Sequence, residues 1–341
     1  MAFGNRLTSV TSNTLLPKVV DTVLNGNTLA TRLLAGAKKW RGGDKLKSVV
    51  KVGTNNTTTS FAGYDILPTN GSDTRQGMEF SPSFAQITVS LPLDELSVNR
   101  NDENAVIDLA AIEMASAAQD FSDSIGTMFF SDGTGNSSKD FLGLSALIDD
   151  GSVAATIGGL SRATYTGLQS PVIASGGTLT LAKMSTLYNA VTSGSQKPTL
   201  GLTTEAVFSL YEQLLQPQER IMKDVPMMKG APVGGTGFVG LFYKGFPILA
   251  DEKATSGVLF FINEDYLDFY ALPMAMTKPV NYKFTMIDGT ETSQVTGLGF
   301  SWSDWILPAN AAAIVGHIYL GGQLVSLNPR RHGKLTGITS I

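Results

Sequence analysis

Gly235-Thr-Gly237-Phe-Val-Gly240 has the spacing with which glycine-rich turns cradle a dinucleotide pyrophosphate. That chemistry needs a strand before the first glycine and a helix after the last, so that the phosphates meet a helix N-terminus. Here a loop precedes and Leu241-Phe-Tyr243 reads as a strand, so no cofactor is expected. Asp132, Thr134, Asn136, Ser138 and Asp140 alternate along a polar loop as calcium ligands do, but Ser137 stands where such a loop needs glycine and Gly143 where it needs glutamate. A helix stop and a turn account for them. Of the two histidines, His317 falls in an apolar strand and His332 in a basic tail, neither placed to serve a hydrolase as base or ligand. Asp149/Asp150 and Asp251/Glu252 read as exposed loop carboxylates. The absence of cysteine excludes disulfides, thiolate metal sites and cysteine nucleophiles. The expectation is a chain with no catalytic, cofactor or metal residue: not an enzyme.

Composition points elsewhere. The chain has 341 residues, 43% hydrophobic and only 16% charged, with 36 glycines, against roughly 25% charged in an average globular protein. Low charge with abundant Gly, Thr, Ser and Asn suggests a β-rich protein whose outer faces lie partly against other subunits. The net charge of −4 hides a polarity. Residues 1–51 carry nine cations, among them Lys38, Lys39, Arg41, Lys45 and Lys47, against only Asp21 and Asp44. From Asn328 onward Arg330, Arg331 and Lys334 meet no acid, so basic ends flank an acidic middle, a pattern that suits a polyanionic partner. The N-terminus lacks the apolar core of a signal peptide, and no stretch reaches the ~20 apolar residues of a membrane span. A soluble product of the cytoplasm is expected.

The elements follow from periodicity. Apolar residues at helical spacing through Asn13–Ala37, broken at Asn25-Gly26-Asn27, predict two short helices in an N-terminal arm. Alternation from Lys45 to Val52 and again from Phe84 to Leu93 predicts two strands, and the polar stretch between them predicts a projecting hairpin. Next comes the clearest helix, 102–130: Asn101 can cap it and Asp132-Gly133 can stop it. Its apolar stripe, Val106, Ala110, Met114, Ala117, Phe121, Ile125 and Met128, advances by three or four residues at each step. Helices at Leu179–Thr192 and Glu205–Gln216 and several short strands follow, among them Phe246–Ala250, Gly257–Ile262, Leu267–Leu272, Val295–Asp304 and Ala311–Leu320.

Arm, hairpin, Leu91-Pro-Leu-Asp-Glu-Leu-Ser-Val-Asn-Arg-Asn-Asp-Glu-Asn104 leading into a long helix, then Gly126-Thr-Met-Phe-Phe-Ser-Asp-Gly-Thr-Gly-Asn136 and Phe141-Leu-Gly-Leu-Ser145, together resemble the major capsid proteins of tailed bacteriophages. Gly245-Phe-Pro-Ile-Leu-Ala-Asp251, Phe261-Ile-Asn-Glu-Asp-Tyr266 and Asn328-Pro-Arg-Arg-His-Gly-Lys334 extend the resemblance over nearly the whole chain. It implies an α+β capsid fold of the Hong Kong 97 type: arm 1–42, extended loop 43–94, peripheral domain 95–197 with its spine helix, axial domain 198–325 with strands returning to the peripheral domain, and a basic tail 326–341. It also implies pentamers and hexamers closing into an icosahedral shell around double-stranded DNA, with portal, scaffolding and decoration proteins as partners. The alternative is another virion protein or an encapsulin-like compartment. The type member joins its subunits by an isopeptide bond from a lysine on the extended loop, whereas this chain has no lysine between Lys51 and Lys139.

Overall fold

The computed structural model describes residues 27–98, 109–215, 241–273, 278–279 and 300–340. Helix α1, Thr28–Ala35, opens the described chain. Strands β1 (Lys38–Lys39), β2 (Leu46–Lys51), β3 (Arg75–Phe80) and β4 (Ser83–Pro92) follow, and then the spine helix α2, Leu109–Phe130. A small hairpin, β5 (Thr156–Ile157) and β6 (Leu160–Ser161), precedes β7 (Val172–Thr178), helix α3 (Leu181–Val191), β8 (Leu200–Thr203) and helix α4 (Glu205–Leu215). The remaining strands are β9 (Leu241–Tyr243), β10 (Phe246–Ala250), β11 (Leu259–Ile262), β12 (Leu267–Ala271), β13 (Lys278–Pro279), β14 (Phe300–Trp302), β15 (Ala313–Ser326) and β16 (Gly333–Ser340).

Two six-stranded sheets organise most of these strands, and β2-β3 and β5-β6 form separate two-stranded pairs. The first runs β1-β12-β15-β14-β13, with β4 pairing the earlier part of β15 on the edge opposite β14. β4 and β15 stay antiparallel from Pro92 opposite Ala313 to Ser83 opposite Gly322. Gly316 allows the indole of Trp302 to lie on β15, since a Cβ there would come within 2.1 Å of the ring. The spine helix packs on β4. From its stripe, Phe121 and Ile125 are buried and Met114, Ala117 and Met128 are half-buried against the same core, which Phe129 and Phe130, outside the expected stripe, also enter. Ala110 lies within the helix, and Val106 lies outside the described residues. Phe129 meets Phe269 at 5.4 Å and Phe141 at 6.0 Å between ring centres, an arrangement that adds to plain area burial. The helix ends at Phe130, and Gly133 adopts φ +79° just beyond it, as a stop of this kind requires.

The second sheet runs β7-β16-β11-β8-β10-β9 and is covered on both faces. Strand β11 shows how: Leu259 and Phe261 pack under α3 and α4, while Phe260 and Ile262 face the core shared with the spine helix. A strand buried on both sides reads as an unbroken apolar run, and Leu259-Phe-Phe-Ile262 is one. Phe130 against Phe260, 6.0 Å between ring centres, joins the two halves of the molecule.

Three expectations are corrected. The hairpin's returning strand is Arg75–Phe80, paired from Leu46 opposite Phe80 to Lys51 opposite Arg75, and the alternating segment after Phe84 belongs to the first sheet as β4. Only Met78 and Phe80 mark that strand, among Gly, Pro and Asn, which is why its segment reads as loop. The segment 326–341 is no tail: β16 lies between β7 and β11, with Leu335 opposite Leu259. Val172–Thr178, expected in the peripheral domain 95–197, belongs to the second sheet as β7.

A polar cluster holds β16 in place. Asp149, expected in an exposed loop, is fully buried. It accepts from the backbone N–H groups of Gly151, Val153 and Ala154 at 2.8–3.1 Å and from Lys334 Nζ at 3.1 Å. Arg162, also fully buried, donates to the carbonyls of Ala146, Leu147 and Asp149. Burial pushes the Asp149 carboxyl up, but the three backbone donors and Lys334 outweigh it and hold the pKa down at about 2, from an ordinary 3.8. A lowered folded-state pKa contributes stability above the unfolded value, lost as pH falls through the folded one, on the order of 2 kcal/mol for this shift. The unfolding midpoint of the protein should therefore drop between about pH 4 and pH 2, the window set by these two values. Asp149→Asn should flatten that limb and lower stability at neutral pH, where Lys334 is left unpaired; denaturant titrations across this range check both.

Candidate assembly surface

Several of the residues singled out for chemistry make packing or turn contacts. His317 Nδ1 lies 3.0 Å from Thr88 Oγ1 across the β4–β15 pair. His332 is buried and accepts from the Asn263 backbone N–H at 3.2 Å, and burial lowers its pKa to about 4. Asp132 Oδ1 accepts from the Thr134 amide and hydroxyl, the turn expected after the spine helix. Gly235–Gly240 lies outside the described residues. Among the described residues, no three His, Asp or Glu side chains gather as metal ligands would, and no helix is long and apolar enough to cross a membrane.

The feature the fold leaves unpartnered is the hairpin. Its base is held by the β2–β3 ladder, by burial of Met78 and Phe80, and by the Glu79 N–H donating to Gly158 O in the β5–β6 turn. Lys45 and Lys47 both reach Glu79, at 3.0 and 2.7 Å. Beyond Lys51 the chain runs through 52–74 without a strand or helix, ordered locally by Asn55 accepting from Thr57 and by Asp65 accepting from the Ala62 N–H. This tip exposes Phe61 (68%), Tyr64, Ile66 (98%) and Leu67 (51%) together. Burying such side chains is worth roughly 1.5–3 kcal/mol each, so exposed apolar residues concentrated in one short segment make it a candidate interaction surface. Leu93, Ile306 and Leu307 form a smaller exposed group, where the Leu93 N–H donates to Ala312 O and Ile306 bridges Val315.

The candidate cations lie in two places. Lys45 and Lys47 sit on the hairpin base, while Lys38 and Lys39 form β1 at the edge of the first sheet, with Arg41 exposed just after it. Lys38 is paired with Asp268 at 2.6 Å, and that hydrogen bond raises its pKa despite partial burial.

A further anchor had no signal in the sequence. Buried Asp251 accepts from the Leu29 N–H at 2.8 Å, meeting the N-terminus of α1 from a distant strand end, and Arg32 forks onto Glu264 at 2.9 and 3.1 Å. Asn27 donates to Ser122 O on the spine helix. Only the partners' separation in sequence hid this clamp, because Asp, Arg and Glu are ordinary surface residues until the fold brings them together.

Two sheets sharing a core, a spine helix, a projecting hairpin and an arm helix define an α+β fold of the Hong Kong 97 capsid type. The chain is similar in structure to the capsid protein of cyanophage A-1(L), with 99% of this chain and 100% of that one covered, TM-score 0.73 and 18% identity. It is also similar to the capsid protein of a native GTA particle (99% and 100% covered, TM-score 0.59, 10% identity). A third likeness is to the SrpI encapsulin of Synechococcus elongatus (99% and 96% covered, TM-score 0.58, 11% identity). No protein-family model matches the sequence, and no curated protein does.

Proposed function

We propose that this chain is the major capsid protein of a tailed bacteriophage, which assembles into pentamers and hexamers and closes into an icosahedral head around double-stranded DNA. The observation that carries the reading is the hairpin tip, whose Phe61, Tyr64, Ile66 and Leu67 its own subunit leaves uncovered. A neighbouring copy is the natural cover, since the same surface then recurs at every contact of a symmetric assembly. The spine helix and first sheet form the peripheral part of the subunit, and the second sheet with α3 and α4 the axial part, near the capsomer centre. Assembly takes place in the host bacterial cytoplasm, with portal and scaffolding proteins and in some shells decoration proteins, and the product is the virion. The role is structural, without catalysis. Expression followed by sedimentation and electron microscopy tests the reading.

Lys38, Lys39, Arg41, Lys45 and Lys47 face the lumen in this account and meet DNA phosphates without sequence preference. Lys38 is paired with Asp268, and Lys45 and Lys47 share one Glu79. A membrane-impermeant amine reagent should leave Lys38, Lys39 and Lys45 unmodified in intact filled heads and react with them in opened ones. Rapid labelling of intact heads would place them outside.

The shell is held without covalent bonds between subunits, or with clamping decoration proteins, because the extended loop has no lysine between Lys51 and Lys139. Boiling mature particles in denaturant should release monomer near 36.1 kDa, whereas a ladder of multimers would contradict this.

The second reading, an encapsulin-like compartment, is favoured by the likeness to SrpI. Particle contents separate the two: nuclease-protected DNA marks a phage head, and a packaged enzyme marks a compartment.

A further inference from the structure

We infer that Asn70-Gly71, on the hairpin tip, is a site of spontaneous covalent modification that converts Asn70 to aspartate and isoaspartate. The reaction needs the backbone nitrogen of the following residue to swing onto the asparagine Cγ, and the tip permits that swing. Asn70 and Gly71 are both exposed, lie outside any strand or helix, and have no hydrogen-bond partner among the described residues. A Cβ built on Gly71 meets nothing within 4 Å, so the space beside this peptide is open. Glycine adds no side chain of its own to restrict the rotation.

Other asparagines lack one or more of these conditions. Asn55, on the same tip, is held as acceptor for the Thr57 amide and hydroxyl and is followed by another asparagine. Asn263 is buried and accepts from the Asp265 N–H. Asn189 lies inside α3, where the helix fixes the next amide. The chain's other Asn-Gly pair, Asn25-Gly26, lies outside the described residues.

The chemistry balances with water alone. Hydroxide takes the proton from the Gly71 nitrogen, which attacks Asn70 Cγ. The Cγ–Nδ2 bond breaks, and the amide nitrogen leaves as ammonia after gaining a proton from water, closing a five-membered succinimide. Water then opens the ring at one of its two carbonyls. Opening at Cγ breaks the new bond and leaves aspartate. Opening at the main-chain carbonyl breaks the original peptide link and leaves isoaspartate, with the chain rerouted through Cγ. Either product adds a carboxylate to a tip that already carries Asp65 and Asp73.

The test uses unassembled full-length subunits, so its result is independent of the shell reading. Subunits are incubated at mildly alkaline pH and digested with trypsin, which releases Val52–Arg75 as one peptide carrying Asn55, Asn56 and Asn70. The expected result is a gain of one mass unit localised by fragmentation to Asn70, faster as pH rises, with methyl transfer by an isoaspartyl methyltransferase. Gly71→Ala, which the open space accommodates, should slow it roughly tenfold, because a Cβ restricts the backbone. Asn70 remaining intact throughout, or changing as fast in the Gly71→Ala chain, overturns the proposal.

Discussion

Replacing Phe61, Tyr64, Ile66 and Leu67 together by serine should leave the unfolding midpoint of the subunit unchanged and abolish closed shells. The four side chains are between 51% and 105% exposed in the subunit, so their loss removes little packing within it. In a shell each is worth on the order of 1.5–3 kcal/mol when covered. Even with half of that recovered, the contact weakens by several kcal/mol, and every 1.4 kcal/mol is about tenfold in affinity. A closed shell repeats the contact in every subunit, which makes assembly yield steep in this quantity. Sedimentation should then show free subunits or small oligomers. Val153→Ser, which removes an exposed apolar side chain away from the tip, is the control and should assemble normally. Full shell yield from the quadruple variant would exclude the tip as the principal contact.

Phe121→Asp should unfold the subunit itself. Phe121 is buried in the spine-helix seam, with its ring 5.9 Å from Phe300. The substitution loses ring burial, about 3–5 kcal/mol, and sets an unpaired carboxylate in the same apolar space at a cost of several more. Total stability of a domain is only about 5–15 kcal/mol. Phe121→Leu keeps most of the volume and should cost roughly 1–1.5 kcal/mol. Circular dichroism and denaturant unfolding check both, and a cooperative transition near the wild-type midpoint for Phe121→Asp would contradict the packing described for the helix.

The legible parts of this fold are those where one periodicity runs long enough to dominate its neighbours. The spine helix was marked by a stripe continuing to Met128 and a stop at Asp132-Gly133, and the structure ends it at Phe130. Strand β15 was recognised at its apolar start, but Gly321, Gly322 and Gln323 interrupt the pattern before it continues to Ser326. Short strands failed the same test: Arg75–Phe80 has two apolar residues, and Gly333–Ser340 hides Leu335 and Ile338 behind a run of cations. Lys334 misleads for a physical reason, since a buried lysine is intelligible only with Asp149, which lies far away in sequence. The hairpin tip was legible as a projection because so polar a stretch has no place in a core. Its apolar members form a surface because the rest of the subunit leaves Phe61, Tyr64, Ile66 and Leu67 largely exposed, which sequence alone does not show. For the same reason the arm clamp through Asp251, Asn27 and Arg32 has no sequence signal, since its contacts join residues 95 to 232 positions apart.

The central claim is that this chain builds a closed shell from copies of itself. Cryo-electron microscopy of the expressed protein, alone and with a candidate scaffolding protein, tests it most directly. The account predicts hollow particles with fivefold and sixfold capsomers, in which the tip around Tyr64 and Ile66 lies against an adjacent subunit and is removed from solvent. A chain that remains a compact monomer under both conditions and in purified virions, or particles in which the tip stands free in solvent, would contradict it.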